Sequence, residues 1–202
     1  MYIPKDFRNP DETVAKQFIR DNGFGILVNV VDNQIAATHI PMVLTSDEKK
    51  LSGHLAKGNK QWKGFQNGSD VLAIFSGPHT YISSSWYDHE NVPTWNYIAI
   101  HVYGTIRIIE GDELYQSLKE LLDKYERHSE KPISIEKFTP SFLKHEIQGI
   151  VGFEIEISKI ESAYKLSQNR DDKNYKVIIN KLEKRGDTAS KEVAVEMKKI
   201  RN

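Results

Sequence analysis

At 202 residues and without cysteine, the chain can bury a core of its own and must do so without disulfides, thiolate chemistry or cysteine-held zinc. Its 28 basic and 28 acidic side chains cancel, so no overall basic field favours non-specific nucleic-acid binding. The N-terminus is too charged for a signal peptide and no apolar run reaches the roughly 18 residues of a membrane helix, so a cytoplasmic protein that makes no use of a membrane is expected.

The first element expected is a short helix in NPDETVAKQFIRDNG. Asn9 caps it, Pro10 takes the first helical position, and Glu12 completes a capping box. Val14, Phe18 and Ile19 form the buried stripe, and Gly23 lies past the end. From Phe24 the pattern turns to β-branched residues broken at Asp32-Asn33, which predicts a hairpin, with Pro41 at an edge or bulge. KLSGHLA reads as a third strand, and GNKQWKGFQNGSD as one short helix carrying Trp62 and Phe65. VLAIFSG, TYISSSWY and YIAIHVYGTIRII read as three further strands. A long helix capped by Asp112 follows, with Leu114, Leu118, Leu121, Leu122 and Tyr125 on one face.

RHSEKPISIEKFTPSF reads as an irregular loop. In GIVGFEIEISKIESAYKL, Phe153, Ile155 and Ile157 alternate with Glu154, Glu156 and Ser158, the pattern of a strand with one wet face. The tail holds two helices, one ending at Gly186 and one with Ala189, Val193, Met197 and Ile200 along one side. The fold class is therefore mainly β, antiparallel, with peripheral helices; strand–helix–strand alternation is absent and a doubly wound parallel sheet is disfavoured.

No phosphate-binding glycine loop, zinc-protease motif or nucleophile elbow occurs. His39, His54, His79, His89 and His101 are scattered without ligand spacing, so neither a metal site nor a catalytic constellation is expected. Two stretches carry chemistry of interest. GHLAKGNKQW joins lysines to a glycine turn and a helix start, which suits either a phosphate or a plain polar turn. GPHTYISSSWYDHENVPTWNY mixes Trp86, Tyr87, Trp95 and Tyr97 with Ser83, Ser84, Ser85, Thr94 and Asn96, which suits a heteroaromatic ligand or a core or interface cluster.

MYIP, ATHIP, GHLAKGNKQW, GPHTYISSSWY, NVPTWNY with HVYGT, and KLSQNR together resemble the PaiB family of FMN-binding negative transcriptional regulators along nearly the whole chain. The resemblance implies an FMN-binding split β-barrel of Greek-key type over residues 1–166, with 167–202 as a helical extension. It also implies a homodimer with flavin at the subunit interface, and repression of sporulation and protease genes. It places His54 at the entrance of a phosphate turn formed by Lys57, Asn59, Lys60 and Gln61. It gives the flavin ring and ribityl chain to Ser83, Ser84, Ser85 and Trp86, joined by Trp95 and Asn96, with Gln168 and Asn169 as weaker candidates. The run from Trp95 to Gly104 lacks the arginine that the related pyridoxamine-phosphate oxidases carry, which argues against their substrate.

DNA enters as a partner only through the resemblance. Neither a helix-turn-helix signature nor a basic stripe is visible, and the C-terminal lysines are interleaved with acids. Two other functions fit the same fold: a flavin-dependent oxidoreductase, in which the cofactor supplies the chemistry, and a haem-binding protein with a histidine as axial ligand.

Overall fold

The structure, a computed structural model, describes residues 1–9, 11–66 and 68–201. Among the described residues there are six strands: β1 (Phe24–Val31), β2 (Gln34–Leu44), β3 (Lys50–Ala56), β4 (Ser69–Ile82), β5 (Thr94–Ile109) and β6 (Ile150–Lys165). They close into a barrel in the order β1-β2-β3-β6-β5-β4. β1 pairs antiparallel with β2 and β4, and β3 pairs antiparallel with β2 and β6. Because β4 returns beside β1, four strands stand in the order β4-β1-β2-β3, a Greek key.

The hairpin forms where the sequence puts it. Asp32 and Asn33 both adopt positive φ, 50° and 61°, the two-residue turn whose twist matches the flanking strands. Val31 then faces Gln34, and the register runs on to Phe24 opposite Pro41.

Several expectations are corrected. In α1 (Glu12–Asp21) the cap is Asp11, whose Oδ1 accepts from the Thr13 N–H at 2.9 Å; Asn9 instead accepts from the Asp11 N–H at 3.0 Å. Pro10 lies outside the described residues. α2 (Gly111–Glu126) begins before Asp112, because Gly111 at φ 57° turns the chain into the helix. Asp112 sits in the first turn, where its charge meets the positive end of the helix dipole.

β4 is a single strand rather than two. It passes straight through Gly77-Pro78, since proline's fixed φ fits a strand and costs one donor only. The chain leaves the sheet at Ser83, which caps a 3-10 turn over Ser84–Trp86. The loop expected after α2 contains a 3-10 turn, Ile135–Lys137, and a helix, α3 (Pro140–Gln148), capped by the Thr139 hydroxyl.

The chain divides into two compact units, Lys16–Phe75 with His101–Ile160, and Met1–Ala15 with Ser76–Ile100 and Glu161–Asn202. The first buries Leu27, Met42, Leu51, Leu55, Phe75 and Phe153, with Phe65 edge-on to Phe153 at 5.5 Å between centroids. The second contains α4 (Asp172–Arg185) and α5 (Thr188–Ile200) together with strand segments.

Asp171 and Asp187 cap the two helices, and Gly186, at φ 87°, ends the first. Tyr175, Ile178 and Leu182 are buried, as are Val193, Ala194 and Met197, whereas Ile200 is exposed. Among the described residues no helix is long and apolar enough to cross a membrane.

Candidate functional site

In the first unit, β3 ends at Ala56 and the chain turns through Lys57-Gly58-Asn59 into a 3-10 turn, Lys60–Gly64. Backbone bonds fix the turn: the Lys57 N–H reaches Gly149 O at 2.8 Å and the Asn59 N–H reaches Ala56 O at 2.9 Å. Asn59 caps the 3-10 segment, its Oδ1 accepting from the Gln61 N–H at 3.0 Å while its Nδ2 donates to Thr38 Oγ1 at 2.8 Å.

Gln61 is buried, and its Nε2 donates to Leu27 O and Asn29 Oδ1, both at 2.9 Å. The Trp62 indole N–H closes back onto Lys57 O at 2.9 Å. What remains outside is positive. Lys57, Lys60 and Lys63 are exposed, and none has a carboxylate partner among the described residues. A Cβ built on Gly58 meets nothing within 4 Å, so a ligand can approach that backbone closely.

A 3-10 turn has three residues per turn, so residues three apart eclipse and Lys60 and Lys63 share a side. The repeat Lys57, Lys60, Lys63 was the signal for Lys63, which α-helical spacing of Trp62 and Phe65 hides. His54 is placed elsewhere. Its ring lines an apolar cavity with residues of α2 and α3, and none of the turn's lysines does.

In the second unit, Ser83 Oγ accepts from the Ser85 N–H at 3.2 Å and lies 2.9 Å from Ser85 Oγ, so the serines largely organise their own turn. One face of Trp86 carries the Arg185 guanidinium at 4.9 Å, and Arg185 also donates to Tyr81 O at 3.0 Å. Lys173 and Asn174 donate to Asp88 at 2.6 and 2.9 Å and, together with His89, hold its carboxyl well below the usual carboxylate range.

Asn96 is fully buried; its Oδ1 accepts from the Ser167 hydroxyl at 3.0 Å. Gln168 accepts from the Leu166 N–H at 2.8 Å, a local turn contact, while Asn169 is exposed. Trp95 is 53% exposed, with Tyr81 (39%) edge-on at 6.1 Å and His79 at 6.2 Å. These three rings form an open aromatic strip on neighbouring strands.

A family model described as "Putative FMN-binding domain" matches residues 1–159. The chain is 43% identical over 196 residues, 96% of it and 95% of the relative, to protease synthase and sporulation protein PAI 2 of Bacillus subtilis. The chain belongs to the PaiB family of FMN-binding proteins. Its fold is shared with flavocytochrome Anf3 from Azotobacter vinelandii (TM-score 0.64, 12% identity, covering 84% of this chain and 75% of that one). It is shared equally with a FAD and haem binding protein from Mycobacterium smegmatis (TM-score 0.63, 13% identity, covering 83% and 78%).

FMN is the cofactor of the PaiB family, and the lysine turn of this PaiB-family chain has the chemistry its phosphate requires: unpaired cations beside open glycine backbone. His54 has a different character. Burial lowers its pKa from the ordinary value of 6.5, so it is held neutral. The unfolded chain binds a proton on this residue where the folded chain does not, and stability therefore falls as pH drops below about 6.5 toward the folded value. Urea unfolding at pH 5.5 and 7.5 checks this: the parent is expected to gain stability at the higher pH, and His54→Phe to lose part of that gain.

Proposed function

We propose that this chain is a flavin-dependent regulator in which the Lys57–Lys63 turn holds the FMN phosphate. The observation that carries the reading is the gathering of three exposed lysines, Lys57, Lys60 and Lys63, on one glycine turn, with no carboxylate partner among the described residues. Lys173, Lys198 and Lys199, by contrast, are paired with Asp88, Glu183 and Glu196. Bound FMN supplies electron-transfer chemistry through its ring. The chain's own part is to fix the phosphate with Lys57 and Lys60 and to present the Gly58 backbone.

A charge-assisted hydrogen bond contributes about 1.5–3 kcal/mol, so Lys57→Ala is expected to weaken FMN binding roughly ten- to a hundredfold. Flavin-fluorescence titration measures it, with riboflavin as the control. Riboflavin lacks the phosphate, so its affinity is expected to stay the same in Lys57→Ala. Unchanged FMN affinity in Lys57→Ala would sink the assignment.

The regulatory part rests on the Bacillus relative's name, which ties that protein to protease synthesis and sporulation. We take the active form to be a homodimer, with the exposed strip of aromatic rings as a natural place for a second copy. Repression exerted directly on DNA requires a mobility shift on protease-gene promoter fragments that weakens with salt. A protein that shifts no such fragment at any salt concentration acts, if it regulates, through another molecule.

A further inference from the structure

We propose that the cavity between α2 and α3 is a second ligand site, separate from the flavin, for a neutral aromatic molecule of two or three fused rings bearing a hydroxyl group. The cavity is about 480 Å³ and its walls include Leu118, Leu121 and Leu122 from α2, and Phe142 and Ile147 from α3. That volume lies within the range of about 300–1,000 Å³ typical of small-molecule pockets, which are mostly apolar with few polar groups. An engineered apolar cavity of roughly 150 Å³ takes one benzene, so this one accommodates about three such rings.

His54 gives the site its selectivity. It projects from β3 into a mostly apolar wall, burial keeps it neutral, and among the described residues its ring has no hydrogen-bond partner. A neutral imidazole has one N–H donor and one bare nitrogen acceptor in either tautomer, so it can accept a phenolic proton. An apolar ligand without a polar group would leave that ring unsatisfied.

The sign of the charge excludes other classes. Among the described residues the one charged side chain in the lining is Glu146 and no lysine or arginine is present, so a phosphate or carboxylate would meet repulsion without compensation. The flavin phosphate therefore belongs at the lysine turn and not here. The α2 face explains why the cavity is open: Leu118, Leu121 and Leu122 are only half-buried and Tyr125 is 49% exposed, although their spacing is that of a core-facing stripe.

The test is titration of the protein with 2-naphthol, with and without saturating FMN, followed by calorimetry and by methyl NMR of leucines. Saturable binding at one site per chain is expected, unaffected by FMN and by Lys57→Ala, with shifts centred on Leu118, Leu121 and Leu122. Naphthalene is expected to bind about tenfold more weakly than 2-naphthol, and His54→Phe to erase that preference. Leu118→Trp, which fills the cavity, is expected to abolish binding; Phe142→Ala, at a half-exposed position, is expected to weaken it several-fold. Competition with FMN would merge the cavity with the flavin site and overturn the proposal. So would binding of 1-naphthoate as tight as that of 2-naphthol, or an absence of saturable binding. Loss of naphthol binding on self-association, seen by sedimentation, would give the face to a second copy instead.

Discussion

Gly104→Ala is expected to destabilise the fold by about 3–5 kcal/mol, at the far end of what single substitutions do. A Cβ on Gly104 would lie 2.1 Å from Glu156 O and 2.7 Å from Ile155 Cγ2. The first of these is backbone of β6, so no rotamer change relieves it; β5 and β6, neighbours in the barrel, must separate. Ile155 is wholly buried between Phe153 and the rest of the inner face, so the displacement propagates into the core. For a chain of this size a loss of that order lowers the melting temperature by roughly 6–20 °C. Gly58→Ala is the control, since its Cβ meets nothing within 4 Å, and it is expected to change stability by less than about 0.5 kcal/mol. Thermal unfolding of both variants decides the matter, and equal melting points would contradict the close approach of β5 and β6 at this glycine.

Where local chemistry settles a feature, the sequence is enough. Asp32-Asn33 specifies its hairpin because both residues tolerate left-handed backbone, and alternation of Phe153 and Ile155 with Glu154 and Glu156 specifies β6. Where the outcome depends on neighbours, it is not. Gly77-Pro78 looks like a break, yet adjacent strands let β4 continue through it to Ile82. α3 carried its signals openly, a Thr139 cap before Pro140, but the preceding run of Lys-Pro, serine and threonine masks them as loop.

The candidate site divides in the same way: exposure of Lys57 and Lys60 on a basic turn follows from the turn's own residues, whereas the burial of Gln61 and Asn96, with Gln61 Nε2 and Asn96 Oδ1 bonded to protein groups, depends on neighbours distant in sequence. No sequence pattern separates a polar residue facing a ligand from one facing a carbonyl. His54 shows the converse: it stands three residues before Lys57, and strand alternation carries its ring away from the turn into the apolar cavity.

Gln61→Leu is the second large effect expected, and it differs in kind from Lys57→Ala. The substitution keeps the volume nearly constant, so little cavity is created, but it removes the donors that serve Leu27 O on β1 and Asn29 Oδ1. Each buried acceptor left unsatisfied costs about 1–3 kcal/mol, so a loss of roughly 2–5 kcal/mol is expected. The bonds lost are also those that tie the 3-10 turn to β1, and Asn59, which caps that turn, is tied in its place to Thr38 on β2. Gln61 is thus a positioning residue for Lys60 and Lys63: with the anchor gone the cations sample more geometries, and FMN affinity is expected to fall about tenfold while riboflavin affinity changes less. Lys57→Ala should weaken FMN alone and leave unfolding unchanged; Gln61→Leu should move both. Gln61→Glu gives a third reading, since it places acceptors against acceptors and should be at least as destabilising as leucine. Urea unfolding and FMN titration on the three variants test the coupling, and a Gln61→Leu protein as stable as the parent would show that the buried amide does not hold the turn.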